Sequence, residues 1–463
     1  MTAHQTLTEG FERSPLSPLL PFEIGHPAYI AVVEPNAAFW GLIRKEKLGE
    51  TLAQSPLLDT YRAKAEDFGR EMELLRVHLR PSAVYFNPTE RCNLNCSYCY
   101  IPEDMRRGGK QMDKATLLDA LDRLHSYFRG HMAPGQLPQV IFHGAEPLLA
   151  REAIFAGIEA FGDRFRFGVQ TNATLLDDAA VSFLTTRGVG IGLSLDGPIA
   201  EVADRTRLRW NGKGVFDPVV SAIERLAGYP GYNVICTMTT ENLPHLTQMV
   251  EFLHACRAPA CMLNVTRCTL AGARTVRGED GEVSKAYIAA LERTHELYRE
   301  TGRKLVVANF ANILIAILAP TARRLMCDIS PCGGGRSFFA LAANGDLFPC
   351  SEFLGLPAFK GGNLFRQPIE EILDSPPFRL VTERKVEDVA GCDACLIRHF
   401  CGSPCPAEAH EMNGGMEQKG AFCQFYEEQV RYALRLIADG LHEDFLWDGW
   451  DDGTEVSCSM GAA

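Results

Sequence analysis

The sequence predicts an α/β fold in which six strand–helix units form an open, partial barrel. Short apolar segments alternate with longer segments of helical periodicity throughout the middle of the chain. Strands that alternate with helices of this length form parallel βαβ units. Six units are too few for a full eight-fold barrel, so we expect a partial (β/α)6 TIM-like barrel. In such folds the chemistry lies at the carboxyl ends of the strands.

The elements follow one another in a regular order. The predicted strands are Val84–Asn87, Gln139–His143, Phe165–Thr171, Ile191–Leu195, Tyr232–Thr239 and Cys261–Val265. The predicted helices between them are Lys114–Phe128, Glu152–Phe161, Asp177–Thr186, Asp217–Leu226 and Leu243–Ala255. A C-terminal amphipathic helix is expected at Tyr426–Leu436, followed by an acidic, aromatic tail that covers the barrel mouth or is disordered.

The composition excludes several classes of protein. A chain of 463 residues exceeds one typical core, so two or three domains are expected. The longest apolar stretch, around Phe310–Ala319, is too short and too polar for a membrane span, and the N-terminus has no secretion signal. Sixteen cysteines without an export signal indicate metal ligation in a reducing cytoplasm. A net charge of −12 argues against nucleic-acid binding.

Three cysteines lie in a tight loop directly after the first predicted strand. Cys92, Cys96 and Cys99 have the spacing C-x-x-x-C-x-x-C. Three thiolates can hold three irons of a 4Fe–4S cluster and leave the fourth iron open to a small molecule. The alternative is a zinc site or a few buried thiols, although zinc would need a fourth ligand and none lies close by in the sequence.

This spacing, with Tyr98 before the third cysteine, resembles the signature of the radical S-adenosylmethionine (AdoMet) superfamily. The resemblance implies that the amino and carboxylate groups of AdoMet chelate the open iron. One electron then cleaves AdoMet to a 5′-deoxyadenosyl radical, which makes the three cysteines part of the catalytic centre. Flavodoxin or ferredoxin is the electron donor that we expect.

Two later strand ends resemble further parts of the AdoMet site. Gly144 and Glu146 stand in His-Gly-Ala-Glu-Pro, which is similar to the superfamily's G-G-E-P motif with Ala145 in place of the second glycine. Asn172 ends the third strand. The resemblance implies that these residues contact AdoMet, whereas locally the same residues could form a turn or a helix cap.

The fourth strand end carries Ser194 and Asp196, and both resemble family positions that reach the ribose hydroxyls and the carboxylate of AdoMet. Arg207 stands in a D-x-x-R segment before a glycine-rich turn. Its guanidinium is suited to a bidentate pair with the AdoMet carboxylate. Capping and turn formation, or a solvated surface arginine, are the local alternatives.

A second group of eight cysteines occupies the C-terminal third of the chain. Its members are Cys327, Cys332, Cys350, Cys392, Cys395, Cys401, Cys405 and Cys423. Eight thiols can fully ligate two 4Fe–4S clusters, and two structural zinc sites are the alternative. The order and spacing closely resemble the SPASM extension of radical AdoMet enzymes. The resemblance implies interleaved ligation, with one cluster on Cys327, Cys332, Cys350 and Cys405 and the other on Cys392, Cys395, Cys401 and Cys423.

The chain therefore divides into four predicted regions: 1–80, 81–310, 320–430 and 431–463. They are a small N-terminal domain, the radical AdoMet barrel, the SPASM domain with two auxiliary clusters, and the C-terminal helix with its tail. In the N-terminal domain we expect a strand at Tyr29–Val33 and helices at Ala37–Ile43, Lys47–Ala53 and Thr60–Val77. This order is similar to winged-helix domains that bind leader peptides in peptide-modifying enzymes, and a plain cap on the barrel is the alternative.

The resemblance leaves two enzymatic functions open. One is a maturase that cross-links a ribosomally made peptide, for example through a thioether. The other is an anaerobic sulfatase maturase that forms formylglycine, a family in which an aspartate base directly follows the G-x-x-x-x-C cysteine. Here Ser351 follows Cys350, and Glu352 is the candidate substitute for the base. A zinc-binding interaction module without catalysis is the alternative from another class.

Overall fold

The computed structural model describes residues 17–322, 327, 332–401 and 405–451. The N-terminal domain consists of a three-stranded antiparallel sheet in the order β1-β2-β3, followed by two helices. Its elements are β1 (Leu20–Phe22), β2 (Tyr29–Glu34), β3 (Phe39–Arg44), α1 (Leu48–Ala53) and α2 (Pro56–Glu73). The predicted strand and the two later helices of this domain are confirmed.

The predicted helix at Ala37–Ile43 is wrong, because this segment forms strand β3. Its side chains alternate between buried and half-buried positions, which is the period of a strand. Ala38 has a φ of 51° and closes the turn from β2. Gly41 lets the strand approach α2, since a Cβ there would lie 2.8 Å from the Leu57 side chain.

The central sheet has ten strands in the order β10-β9-β8-β7-β6-β5-β4-β11-β12-β13. The strands from β4 to β10 are all parallel. They are β4 (Ala83–Phe86), β5 (Gln139–Phe142), β6 (Arg166–Thr171), β7 (Gly190–Ser194), β8 (Tyr232–Met238), β9 (Ala260–Val265) and β10 (Val306–Val307). All six predicted strands are confirmed, and no pairing among the described residues closes the sheet.

Helices connect these strands. They are α3 (Glu103–Gly108), α4 (Lys114–Arg129), α5 (Arg151–Phe161), α6 (Asp178–Thr186), α7 (Ala200–Ala203), α8 (Phe216–Arg225), α9 (Leu246–Ala255), α10 (Ala271–Thr275), α11 (Asp280–Thr301) and α12 (Ala308–Leu318). Asp113 begins α4 and Asp177 begins α6, because each side chain accepts a backbone N–H of the first turn. The helices that were predicted for this region are present.

The C-terminal region continues the same sheet. Its elements are β11 (Phe338–Leu341), β12 (Asp346–Phe348), β13 (Gly362–Asn363), α13 (Ile369–Leu373), α14 (Pro376–Thr382), α15 (Pro406–Asn413) and α16 (Cys423–Asp439). Strand β11 pairs in parallel with β4, and β12 and β13 follow as antiparallel neighbours. The cysteine-rich region and the barrel therefore share one sheet.

The two faces of the sheet have different partners. Val84 and Phe86 of β4 belong to the large core cluster that includes the apolar side of α4. Ala83 and Tyr85 belong to a smaller cluster with Cys332 and Phe353, against which Cys350 and Cys405 also pack. Because successive strand residues point to opposite faces, β4 contributes to two separate clusters. Cys332, Cys350 and Cys405 lie with the smaller cluster, whereas Cys92, Cys96, Cys395 and Cys401 pack against the larger one.

The predicted C-terminal helix is confirmed as α16. The segment that follows it packs on the outer helices α11, α12 and α16. Lys304 Nζ donates to the carbonyls of Glu443 and Leu446 and pairs with Asp448, each at 3.0–3.1 Å. The described part of the tail thus lies away from the strand ends. No helix among the described residues is long and apolar enough to cross a membrane.

Candidate active site

The cysteine loop follows β4 at its carboxyl end. Burial raises the pKa of the Cys92 thiol to about 12 and that of Cys99 to about 11, and it also raises the pKa of Cys96. The other two thiols raise the pKa of Cys92 further, which shows that the three lie close together. Thiols in this environment stay protonated unless positive charge is bound among them, and a metal centre supplies such charge.

The segment 206–210 fixes the shape of this loop. The backbone N–H of Asn95 donates to the Leu208 carbonyl at 2.7 Å, and that of Ser97 donates to the Thr206 carbonyl at 3.0 Å. The indole N–H of Trp210 donates to the carbonyl of Cys92 at 2.8 Å. These contacts hold a loop without regular secondary structure in one conformation.

Tyr98, Asp196 and Arg207 form a buried polar cluster beside Cys96. The Tyr98 hydroxyl donates to Asp196 Oδ2, and Arg207 Nη1 donates to the Tyr98 hydroxyl, both at 2.5 Å. Arg207 also pairs with Asp196 at 3.7 Å. Burial raises the pKa of Asp196. Burial alone would lower the pKa of Arg207, but the nearby Tyr98, Cys96 and Asp196 raise it well above its usual value. A fixed positive charge therefore lies next to the loop.

Arg207 keeps one hydrogen-bonding atom free for a ligand. Its Nε is buried and has no partner among the residues that the structure describes. A buried donor without an acceptor costs about 1–3 kcal/mol, so a bound anionic group would relieve this cost.

Glu146 and Asn172 join the ends of β5 and β6. The Glu146 carboxylate accepts the Thr171 hydroxyl at 2.8 Å, the Asn172 backbone N–H at 2.8 Å and the Leu148 N–H at 3.0 Å. The Asn172 amide donates to the Asn93 side chain at 2.8 Å, so it touches the cysteine loop. Burial raises the pKa of Glu146 to about 7 despite these hydrogen bonds.

The backbone before Glu146 has an unusual conformation. Gly144 has a φ of 72°, and a Cβ there would lie 1.6 Å from Asn87 Oδ1, so only glycine fits. Ala145 has a φ of 34°, which explains why the similar family motif has glycine at this position.

Ser194 ends β7 and is half-buried.

The raised pKa of Glu146 predicts an inverted pH dependence of stability. Because its pKa is about 7 in the folded protein and about 4.5 without burial, the folded state binds more protons between these values. We therefore expect the free energy of unfolding of the wild type, relative to Glu146→Gln, to fall as the pH rises from about 4.5 to 7, by at most about 3 kcal/mol.

Urea unfolding of the AdoMet-free protein, followed by circular dichroism under anaerobic conditions, measures this difference. Glu152→Gln, at an exposed position of α5, is the matched control and should show no such trend. A difference between wild type and Glu146→Gln that stays constant over this pH range would contradict the buried, high-pKa carboxyl.

The C-terminal cysteines lie in two groups. Cys327, Cys332 and Cys405 each raise the pKa of the Cys350 thiol, so these four are neighbours. Cys392 and Cys423 likewise raise the pKa of Cys395. Cys401 is half-buried at the end of a turn that Ile397 begins. The first group contains the four members of one predicted ligand set, and the second contains Cys392, Cys395 and Cys423 of the other.

Five polar residues face each other between the cysteine loop and the Cys350 group. They are Tyr100, His143, Arg267, Glu352 and Tyr426. Each is half-buried. Glu352 interacts electrostatically with Tyr100 and with Arg267, and Arg267 also interacts with Tyr426. We call these five residues the Glu352 cluster. Burial raises the pKa of Glu352 to about 7, Arg267 opposes this shift, and Glu408 adds to it. Glu352 Oε2 has no partner among the described residues.

Sequence reasoning found Glu352 but missed the other four residues of the Glu352 cluster. Tyr100 directly follows Cys99, and its hydroxyl lies 3.5 Å from His143 Nδ1. Arg267 comes two residues after β9, at the carboxyl end of a strand. That position was the available signal, because functional side chains of such folds lie at strand ends.

The donor sets fit iron–sulfur clusters. Each predicted set consists only of thiols, which are the usual ligands of these clusters. In the described part of the chain, no three His, Cys, Asp or Glu side chains have the geometry to hold a single metal ion. A zinc site gathers its ligands around one ion, whereas a cubane distributes them over several irons.

Comparison with known proteins gives matches over most of the chain. The Radical SAM superfamily profile matches residues 86–253, and the profile of the SPASM iron–sulfur cluster-binding domain matches residues 332–396. An uncharacterized protein of Archaeoglobus fulgidus is 37% identical over 406 residues, which are 88% of this chain and 92% of the relative. The cysteine-type anaerobic sulfatase-maturating enzyme of Clostridium perfringens is 22% identical over 380 residues, 77% of this chain and 98% of the relative.

Two solved structures share the fold. The enzyme anSMEcpe with bound AdoMet has a TM-score of 0.67 at 19% identity and covers 80% of this chain and 97% of its own. Streptococcus suis SuiB bound to the precursor peptide SuiA has a TM-score of 0.58 at 13% identity and covers 88% of this chain and 98% of its own. These matches extend over both the barrel and the cysteine-rich region. The chain is thus an iron–sulfur, AdoMet-dependent enzyme of the radical SAM superfamily with a C-terminal SPASM domain.

Proposed function

We propose that this enzyme matures a ribosomally made precursor peptide by hydrogen abstraction, forming a thioether or another cross-link. The observation that carries the proposal is the Glu352 carboxyl, whose Oε2 is buried and has no partner among the described residues. It lies near Tyr100, which is next to Cys99, and near Cys350 of the auxiliary group. A proton acceptor with a pKa of about 7 therefore stands between the radical centre and the auxiliary cysteines.

The proposed cofactors are AdoMet and three 4Fe–4S clusters. Cys92, Cys96 and Cys99 would hold the AdoMet-binding cluster, which supplies the electron that breaks AdoMet into methionine and the 5′-deoxyadenosyl radical. Asn172, Ser194 and Arg207 are the proposed direct contacts of AdoMet, because Asn172 follows β6, Ser194 ends the neighbouring β7, and Arg207 Nε has no partner among the described residues. Tyr98, Glu146 and Asp196 would position them through their hydrogen bonds to Arg207, to the Asn172 backbone and to Tyr98. Gly144 would allow the close approach of the backbone to Asn87.

Closing a thioether removes two hydrogens from the peptide. One leaves as a hydrogen atom on 5′-deoxyadenosine, and the other leaves as a proton and an electron. We assign Glu352 as the group that accepts this proton. The auxiliary cluster on Cys327, Cys332, Cys350 and Cys405 would supply a one-electron acceptor beside it.

The N-terminal domain supports a peptide substrate. Its sheet is fixed to the rest of the chain by hydrogen bonds from Trp40 Nε1 to the Ile317 carbonyl and from Arg435 Nη1 to the Ile24 carbonyl, at 2.8 and 2.7 Å. The match to SuiB, which was solved with its precursor peptide, covers more of this chain than the match to anSMEcpe. We assign residues 17–80 to binding the leader part of the precursor.

Formation of formylglycine on a sulfatase is the second candidate. The similarity to sulfatase-maturating enzymes over 77% of the chain favours it. Its difficulty is the residue after Cys350, which is the neutral Ser351 rather than an aspartate. Glu352 would then have to serve as the base one position later.

Mass spectrometry of two peptides separates these candidates. Reconstituted enzyme, AdoMet and dithionite are incubated with the product of a short reading frame beside the gene and, separately, with a sulfatase-derived peptide carrying Cys or Ser at the target position. We expect 5′-deoxyadenosine and a loss of two hydrogens on the precursor only. Modification of the sulfatase peptide alone would overturn the proposal, and a protein that contains zinc without sulfide would indicate a non-catalytic module.

A further inference from the structure

A short hairpin packs against the cysteine loop from outside the barrel. Leu208 pairs with Gly214 in antiparallel fashion, and the backbone N–H of Arg209 donates to the Lys213 carbonyl at 2.8 Å. Gly212 closes the turn with a φ of 79°. The hairpin face, as we call it, consists of Arg209, Trp210 and Lys213 together with Arg107 of α3.

The hairpin face is basic in an otherwise acidic protein. Residues 205–213 contain four basic residues and no acidic one, whereas the whole chain has 58 acidic and 46 basic residues. Arg205 pairs with Glu241 at 3.0 Å, and Arg207 pairs with the buried Asp196. Arg209 and Lys213 form no ion pair with any residue that the structure describes, and Lys213 is exposed. Their charge is therefore available to a partner.

The hairpin face contacts the cysteine loop through the Trp210 side chain. The Trp210 indole N–H bonds to the Cys92 carbonyl at 2.8 Å, and the Arg107 guanidinium stacks over the Trp210 ring at 3.9 Å from its centroid. Arg107 is more than half exposed and is also paired with Glu103. Arginine and tryptophan are residues that dominate many protein interfaces.

We propose that the hairpin face docks an acidic electron carrier of the flavodoxin type. The inference rests on the proposed function, because every AdoMet cleavage consumes one electron that an external donor must supply. The donor's reduced flavin gives up one electron. That electron reduces the sulfonium of AdoMet, whose carbon–sulfur bond breaks to give methionine and the 5′-deoxyadenosyl radical. A basic face attracts an acidic partner, and the flat Trp210 ring suits a carrier whose redox group is an aromatic ring.

Charge reversal tests the docking site in the full-length, reconstituted enzyme. The double variant Arg107→Glu with Lys213→Glu is compared with the double variant Lys285→Glu with Arg299→Glu, at two exposed positions on α11, which changes the net charge equally. Formation of 5′-deoxyadenosine is measured with dithionite and with reduced flavodoxin, and flavodoxin binding is titrated directly. Iron content and circular dichroism establish that both variants are folded and loaded.

We expect the hairpin variant to lose about tenfold or more in the flavodoxin-driven rate and in flavodoxin affinity, with a dithionite-driven rate close to that of the wild type. The α11 variant should behave like the wild type in each assay. Raised salt should slow the flavodoxin-driven reaction of the wild type and of the α11 variant, but not that of the hairpin variant, because screening weakens an exposed charged contact.

Three results would overturn the inference: an equal loss with both reductants, an equal loss in the α11 variant, or a flavodoxin-driven rate of the hairpin variant that stays at the wild-type level. A wild-type enzyme that fails to cleave AdoMet even with dithionite would instead overturn the proposed function. The dithionite assay therefore separates the two failures.

Discussion

Replacing Cys92, Cys96 and Cys99 with alanine is expected to abolish 5′-deoxyadenosine formation and to remove about a third of the bound iron. The wild type should hold about twelve irons after reconstitution, as three cubanes of about four each. The variant should keep about eight, because the ligands of the two auxiliary clusters lie in separate groups. Iron and sulfide analysis and product chromatography after dithionite reduction measure both effects.

Cys256→Ala is the control for the loss of a thiol as such. Cys256 is half-buried at the end of α9, and it belongs to neither predicted ligand group. It should keep the full iron content and the full rate. If the triple variant still produced 5′-deoxyadenosine, the assignment of the AdoMet-binding cluster to this loop would be wrong.

Glu352→Gln is expected to lower product formation on the peptide by about a hundredfold or more, which is typical of losing a general base. AdoMet cleavage without coupled peptide modification should continue, because Glu352 lies outside the cysteine loop. Parallel measurement of 5′-deoxyadenosine and of modified peptide shows whether the two are uncoupled. Equal loss of both would remove Glu352 from the role of the proton acceptor.

The pH dependence gives an independent test of the same role. Burial raises the pKa of Glu352 to about 7, and only the ionised carboxylate accepts a proton. Product formation by the wild type should therefore rise with pH through about 7 and level off above it. Ser351→Ala, the matched control beside it, should keep both the rate and this profile, whereas Glu352→Gln should lose the rise.

Much of the barrel could be predicted from the sequence because its signals are local. The alternation of apolar strands and amphipathic helices determines βαβ units without reference to distant residues. The C-x-x-x-C-x-x-C spacing is local as well, whereas the two auxiliary ligand sets are predicted only through the resemblance to the SPASM extension. The segment Phe39–Arg44 was wrongly predicted as a helix, because its apolar residues fit both the helical and the strand periodicity. Only its pairing with β2 makes it a strand.

The contacts within the site could not be predicted because they join distant parts of the chain. Tyr98, Asp196 and Arg207 stand in three different segments, and their mutual hydrogen bonds follow only from the folded barrel. The same holds for Arg267, which follows β9, and Glu352, which comes from the SPASM region. The sequence predicts Glu146 as an AdoMet contact, but it could not show that the same carboxylate also links two strand ends.

The pairing of β11 with β4 has a consequence for synthesis of the chain on the ribosome. Strand β4 is made early, but the partner on one of its sides, Phe338–Leu341, emerges about 250 residues later. Until then β4 presents unpaired backbone groups on a strand that is buried throughout in the finished protein. Chains that end before β11 would keep this edge open and are prone to aggregate. The SPASM region thus covers the β4 edge of the barrel sheet with the strands β11 to β13, and its truncation would expose that edge as well as remove the predicted auxiliary ligands.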